Sequence, residues 1–334
     1  MVYNNLDFNK KTILITGGAG FIGSNLAFYF QENYPDSNII VFDCFRSESK
    51  FSNGNLKSFG HYKNLIGFKG TIICGDINSQ KDLNLLSENK FDYIFHQAAI
   101  SDTRVYDQNI IMETNINSFY SILKLAKRDS ATMIYASSAA TYGRLPSPQI
   151  VGIENPENPY GFSKLMMDQI AHDFSLKNPD IVVVGLRYFN VYGPREFFKR
   201  NTSSMVSQLG HQILNENSPR LFEGSDKIFR DFIYIDDAIQ ANIKACAPKE
   251  NGVYNVGTGN PRSFKEIADI LQIGLCTNYQ IEYFSNPYDG YQMHTQADIS
   301  SSKSNLNFHP QVSLEQGIKA YIPEIIRLHG TENK

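Results

Sequence analysis

Residues 12–30 read "TILITGGAGFIGSNLAFYF", and this stretch decides the fold. A short apolar run stops at a cluster of glycines, and a helical pattern begins directly behind them. Gly17, Gly20 and Gly23 form G-x-x-G-x-x-G. In such a loop the first glycine permits the tight turn. The second lets backbone approach a pyrophosphate, and the third lets the helix pack close to the strand. The helix N-terminus presents N–H groups and the positive end of its dipole to the phosphates. Asp43 lies twenty positions after Gly23, at the end of the next apolar run "NIIVFD" (38–43). Strand, glycine loop, helix and a following acid together predict a dinucleotide site. Asp43 is placed to accept hydrogen bonds from an adenosine ribose, which favours NAD. Arg46 and Lys50 follow closely and either neutralise a 2′-phosphate, favouring NADP, or stand in water as loop cations.

Further apolar runs follow at "TIICGD" (71–76), "DYIFHQAA" (92–99), "ATMIYASS" (131–138) and "DIVVVGLRYF" (180–189). Helical patterns near 80–88 and over 107–128 separate them. Runs that are continuously apolar, rather than alternating, predict a parallel sheet covered on both faces. Their alternation with helices predicts a doubly wound, Rossmann-like α/β fold. From about residue 190 the segments become shorter and more mixed. The expected division is a dinucleotide-binding domain over 1–189, with a later strand returning from about 230–260. Residues 190–330 are expected mainly to form a smaller α+β substrate-binding domain. The polar stretch 44–69 is long for a loop within a compact domain, which marks it as functional.

Bulk properties narrow the partner. The chain has 334 residues, 42% of them hydrophobic, and a net charge of −3, so a large core can be buried. There is no basic stripe for nucleic acid and no cationic cluster for a membrane surface. No apolar run approaches the ~18 residues of a membrane span, and the polar N-terminus does not read as a signal peptide. Four cysteines and seven histidines show no metal-ligand or redox spacing, so no metal and a reducing cytoplasm are expected. The partner that remains is a small molecule.

In "NPYGFSK" (158–164), Tyr160 precedes Lys164 by four residues, which places both on one helix face. Beside a nicotinamide cofactor, such a pair suits alcohol–ketone chemistry, with a base taking the hydroxyl proton as hydride leaves carbon. Free tyrosine, with a pKa of ~10, is a poor base at neutral pH, and a nearby ammonium lowers that value. Ser138, at the end of "ATMIYASS", offers a hydroxyl where ligands gather in such sheets.

Gly17, Gly20, Gly23, Ser138, Tyr160 and Lys164 together resemble the extended short-chain dehydrogenase/reductase family, over nearly the whole chain. The resemblance implies NAD(P) in the first domain and a nucleotide sugar in the second, with Ser138, Tyr160 and Lys164 as the catalytic triad. It implies a cofactor lining of Phe21, Ile22, Cys44, Lys50, Asp76, Ile77, Gln97, Ala98, Ala99 and Val191. Asn115 belongs to the same set unless it is an ordinary polar helix residue. Where dehydratases of this family resemble T-D-E, this chain has Ser138, Ala139 and Ala140; an acid and a base are missing, so dehydration is not expected.

"RYFNVYGPREFFK", "LFEGS", "RDFIYIDD" and "YQMHTQAD" resemble one epimerase branch of the family. The implied substrate is ADP-D-glycero-β-D-manno-heptose, inverted at C6″ by transient oxidation to a ketone and hydride return from tightly bound NADP, for the inner core of lipopolysaccharide. The branch also implies a homo-oligomer, a ring of five. A lysine after G-P-R-E is implied as a second acid/base, and Lys199 matches it. A lysine base needs a pKa lowered by burial or by neighbouring cations, and Arg195 and Arg200 are near in sequence; the alternative is a solvated loop charge. Implied substrate contacts are Ser101, Asn190, Ser204, His211, Phe222, Glu223, Gly224, Ser225, Arg230 and Tyr291. Several have bland alternatives. Ser203 competes with Ser204. His211 suits helix packing, and Glu223 and Ser225 suit turn chemistry. Arg230 either grips a diphosphate or pairs with Asp231 or Asp236. Rival functions are a UDP-hexose 4-epimerase, a GDP-heptose epimerase, and a nucleotide-sensing protein without catalysis on the same fold.

Overall fold

The computed structural model describes residue 3, residues 6–286 and residues 292–331. Its centre is a seven-stranded parallel sheet. Six strands come from the first half: β1 (Thr12–Thr16), β2 (Asn38–Asp43), β3 (Thr71–Cys74), β4 (Tyr93–His96), β5 (Thr132–Ser138) and β6 (Val183–Tyr188). The seventh, Gly252–Val256, returns late in the chain and pairs with β6. The spatial order is Gly252–Val256, β6, β5, β4, β1, β2, β3. The chain winds outward from β1 through β2 to β3, then crosses back to β4 and winds the other way. The strand order therefore reverses between β1 and β4, and a crevice opens beyond their C-terminal ends.

The continuous apolar pattern of the strands has its expected cause. Ile13, Leu14 and Ile15 of β1, Ile94 and Phe95 of β4, and Met133, Ile134 and Tyr135 of β5 are all fully buried. Helices cover both faces, which gives two core clusters, one on each side. Each such side chain contributes roughly 1.5–3 kcal/mol on leaving water, and truncating Ile134 to Ala would cost about 2–5 kcal/mol.

Helix α1 (Phe21–Asn33) begins directly at Gly20. The Tyr160 helix runs Pro159–Lys177; Asn158 caps it by accepting from Gly161 N at 2.8 Å, and Pro159 sits in its first turn, where no N–H is needed. The helical pattern over 107–128 is not one helix. It divides into Gln108–Met112, a π turn at Glu113–Asn117, and Ser118–Asp129. The pattern near 80–88 likewise splits into a short α-helix, Gln80–Leu83, and a 3-10 turn, Asn84–Leu86. The polar stretch 44–69 carries structure of its own: a Lys50–Leu56 bridge closed around Asn53–Gly54, and a 3-10 turn at Tyr62–Leu65. After β6 come short paired strands and the helices Met205–Leu214, Phe264–Gly274 and Leu314–Leu328, which pack on one another and extend the crevice wall.

One buried ion network fixes the Tyr160 helix on the sheet. Arg187 of β6 donates to Asp168 Oδ2 from Nε at 3.0 Å and Nη2 at 2.9 Å, and to Glu154 at 2.6 Å. Asp168 lies on the Tyr160 helix and also accepts from Tyr135 and Ser137 of β5.

Candidate active site

A cavity of about 560 Å³ lies along the C-terminal ends of the strands. It begins at the glycine loop. Gly17 adopts φ +68°, and a Cβ there would come within 2.6 Å of Ala98 N. At Gly23 a Cβ would come within 2.3 Å of Gly17 O. Gly20 differs: its Cβ would meet only Gly17 O, at 3.2 Å, so the space beside it belongs to the cavity. No side chain caps the N-terminus of α1, which leaves its N–H groups facing that space. These features fit a pyrophosphate.

Asp43 lines the same end and is buried. Its carboxylate accepts from Ala19 N at 2.9 Å and Phe45 N at 2.7 Å, so it also holds the glycine loop in shape. Burial pushes its pKa up. Phe21, Ile22, Cys44, Asp76, Ile77, Gln97, Ala98, Ala99 and Val191 line the cavity as well. Lys50 is not among the lining residues: it is exposed and occupied in the bridge to Leu56. Arg46 turns its guanidinium to the Phe198 carbonyl. Of the cations on the 44–69 stretch, Lys57 lines the cavity, together with Ser58. Asn115 stands behind the wall, accepting from Ile100 N and donating to Ile100 O and Ser163 Oγ at 2.9–3.0 Å. It braces the loop after β4 against the Tyr160 helix.

Ser138, Tyr160 and Lys164 come together at the middle of the cavity. Two influences act on the Tyr160 phenol. Burial pushes its pKa up, and a hydrogen bond with the Ser138 side chain pulls it down. The expected lowering by Lys164 is not seen among them. The Lys164 ammonium lies 5.9 Å from the Tyr160 ring centre and donates to Ala136 O at 2.7 Å. Its own pKa is pulled down to about 8 by burial.

Lys199 enters from the turn Phe197–Thr202 and lines the same cavity, with Nζ 5.6 Å from the Phe21 ring centre. Burial lowers its pKa, while the acids Glu196 and Asp102 raise it. Of the two expected causes of a lowered pKa, burial acts and neighbouring cations do not: Arg195 stacks on Phe28 at 3.8 Å, and neither Arg195 nor Arg200 is a cause of the Lys199 shift.

The substrate-contact expectations divide. Ser101, Asn190, Ser203, Ser204 and Arg230 line the cavity. Ser204 is already engaged: its Oγ donates to Glu196 at 2.7 Å and caps the helix Met205–Leu214. Arg230 does not pair with Asp231, whose carboxylate is capped by Thr258, Gly259 and Ala297. Arg230 instead donates to Phe229 O at 2.8 Å and to Gln292 O. His211 packs on Phe197 at 4.8 Å, outside the cavity lining, and burial pulls its pKa down to about 4. Phe222, Glu223, Gly224 and Ser225 form a strand and turn beside Glu282–Phe284, also outside the lining. Tyr291 lies outside the described residues.

Lys57 and Asp102 are among the lining residues that no sequence motif marks. Lys57 has no local signal that separates it from Lys50. Asp102 accepts from Asn53, Asn55 and Arg104 and so clasps the 50–56 hairpin to the loop after β4. The Asn-Gly turn at 53–54 was the available clue to that hairpin. Among the described residues no cluster of potential metal ligands occurs, and no helix is long and apolar enough to cross a membrane.

A parallel doubly wound sheet, a glycine cradle at the strand-order reversal, and Ser138, Tyr160 and Lys164 lining the same cavity fit a dinucleotide-binding enzyme. The chain belongs to the NAD dependent epimerase/dehydratase family, whose pattern matches residues 13–257. It is 36% identical over 318 residues to an ADP-L-glycero-D-manno-heptose-6-epimerase from Brachyspira hyodysenteriae, covering 92% of this chain and 96% of that protein. It is similar to the crystal structure of the Helicobacter pylori ADP-L-glycero-D-manno-heptose-6-epimerase, with a TM-score of 0.89 and 48% identity over 98% of this chain and 99% of that one. UDP-glucuronic acid 4-epimerase from Bacillus cereus, in complex with NAD, matches with a TM-score of 0.79 and 27% identity over 95% of this chain and 99% of that one.

Proposed function

We propose that the protein inverts C6″ of ADP-D-glycero-β-D-manno-heptose, giving the L-glycero epimer for the inner core of lipopolysaccharide. One observation carries the chemistry: Tyr160 and Lys199 reach a single cavity from different elements, and that cavity begins at the glycine cradle. The similarity to ADP-heptose epimerases supports the substrate.

A plain carbinol C–H is too weakly acidic for any side chain to deprotonate, so the inversion needs transient oxidation. A bound nicotinamide dinucleotide supplies the reversible hydride acceptor. The chain's own residues manage protons and geometry. In one orientation of the C6″–C7″ tail, Tyr160 takes the hydroxyl proton, with Ser138 hydrogen-bonded beside it. In the other, Lys199 serves. Its burial favours the neutral amine that a base requires. Arg230, with its planar fork on the cavity wall, suits the diphosphate. We read the dinucleotide as NADP, because Lys57 and Ser58 line the same cavity as Asp43 and suit a 2′-phosphate. Residues 190–330 act mainly as the substrate-binding part, and assembly into a homo-oligomer is read from the resemblance alone.

The test is a panel of ADP-D-glycero-β-D-manno-heptose, UDP-glucose and GDP-linked heptose, with configuration followed by NMR. Turnover confined to the ADP-heptose is the expected result. Turnover of UDP-glucose instead would retain the fold and triad but overturn the substrate.

A further inference from the structure

Lys199 is connected to the glycine loop through a chain of direct contacts. The His61 ring lies on the Phe198 ring, with centroids 3.9 Å apart and planes 4° from parallel. His61 is buried, and its Nδ1 accepts from Lys63 N at 3.1 Å, which fixes the ring's rotation. On its backbone side, His61 N donates to Ala19 O at 3.0 Å. Asn64 donates to the same carbonyl, and Ala19 N donates to Asp43. Phe198 is held further by Arg46 at its carbonyl and by Phe197, whose ring stands edge-on at 5.3 Å. The residue after Phe198 is Lys199.

This matters because lysine is a poor group to aim. Its four-carbon stem is flexible, and misplacement by about 1 Å can cost roughly 100-fold in rate. Lys199 N donates to Glu196 O at 2.9 Å, and the next residue, Arg200, has φ +54°. The Phe198 ring, buried with Phe197 and Leu328 and stacked on His61, is the ring anchor adjoining Lys199 in this turn.

We infer that His61, through its stack on Phe198, is a positioning residue for Lys199, and that it ties the placement of this second proton-transfer group to the dinucleotide-binding loop. The inference rests on Lys199 being a proton-transfer group, as proposed above.

A double-mutant cycle separates positioning from general stabilisation. His61→Ala should lower kcat by about 10- to 100-fold, with KM for the nucleotide sugar nearly unchanged. His61→Phe, which keeps a ring for the stack, should restore most of it. Bound dinucleotide, counted after denaturation, should stay at the wild-type level, because alanine keeps the N–H to Ala19. In a Lys199→Ala background, His61→Ala should have almost no further effect. Phe198→Leu is the second variant and should reproduce the kcat loss if His61→Ala does not fold. A folded His61→Ala or Phe198→Leu enzyme with normal kcat, beside an inactive Lys199→Ala one, would overturn the inference. So would an equal His61→Ala effect with and without Lys199, or loss of dinucleotide. Normal turnover by Lys199→Ala would instead overturn the reading beneath it.

Discussion

Tyr160 and Lys164 lie one turn apart on the helix Pro159–Lys177, yet the Lys164 ammonium points past the phenol to Ala136 O, 2.7 Å away on β5. The lysine is thereby anchored at a strand end. The tyrosine's hydroxyl is hydrogen-bonded with the Ser138 side chain.

Tyr160→Phe removes the proton-transfer oxygen and little else. Turnover should fall by at least about 100-fold, the scale of general acid–base catalysis, while the melting temperature stays close to wild type. Near-normal activity would mean that the site has been placed wrongly.

Lys199→Ala should also cripple epimerisation while leaving the dinucleotide bound, since its side chain meets the glycine motif at the Phe21 ring, 5.6 Å from Nζ, and makes none of the hydrogen bonds that shape the loop. Absorbance of the released dinucleotide and a turnover assay on the same sample check both halves. Unchanged turnover would remove only the second base.

Lys164 makes a pH prediction whose sign can be worked out. Its folded pKa is pulled down from 10.5 to about 8. Between those values the unfolded chain holds a proton that the folded chain has released. Stability of the ligand-free protein should therefore rise with pH across that window, by at most about 3 kcal/mol at 1.36 kcal/mol per pKa unit. Below pH 8 the full penalty of burying the ammonium is present. In urea unfolding, the stability gap between wild type and Lys164→Met should narrow from about pH 8 upward. A pH-independent difference would show that the ammonium is not desolvated.

Arg187→Met should destabilise by about 3–5 kcal/mol, the cost of leaving a buried carboxylate without its partner. The stranded group is Asp168, on the helix that carries Tyr160 and Lys164. Chemical denaturation measures the loss, and Arg187→Met with Asp168→Asn should recover part of it. A loss below about 1 kcal/mol would place the network among energetically neutral ion pairs.

The parts legible in the sequence share a cause. The glycine loop and the continuous apolar strands are set by backbone conformation and burial, and both leave a local pattern. Side chains that answer to distant contacts leave none. The stretch 107–128 reads as a single helix, but Asn115 turns inward to hold Ile100 and Ser163, and a π turn forms around it. Lys50 and Lys57 look alike in sequence, and only the hairpin clasped by Asp102 decides which of them reaches the cavity. Lys199 was marked by resemblance. Its lowered pKa comes from burial, one of the two expected causes, while Arg195 turns away to Phe28.

The most direct measurement uses ADP-D-glycero-β-D-manno-heptose carrying deuterium at C6″, incubated with the purified protein in ordinary water without added cofactor. The expected result is the L-glycero product with its deuterium retained, since a hydride carried on carbon of the dinucleotide does not exchange with water before it returns. Absence of inversion, or inversion with deuterium lost to solvent, would contradict it.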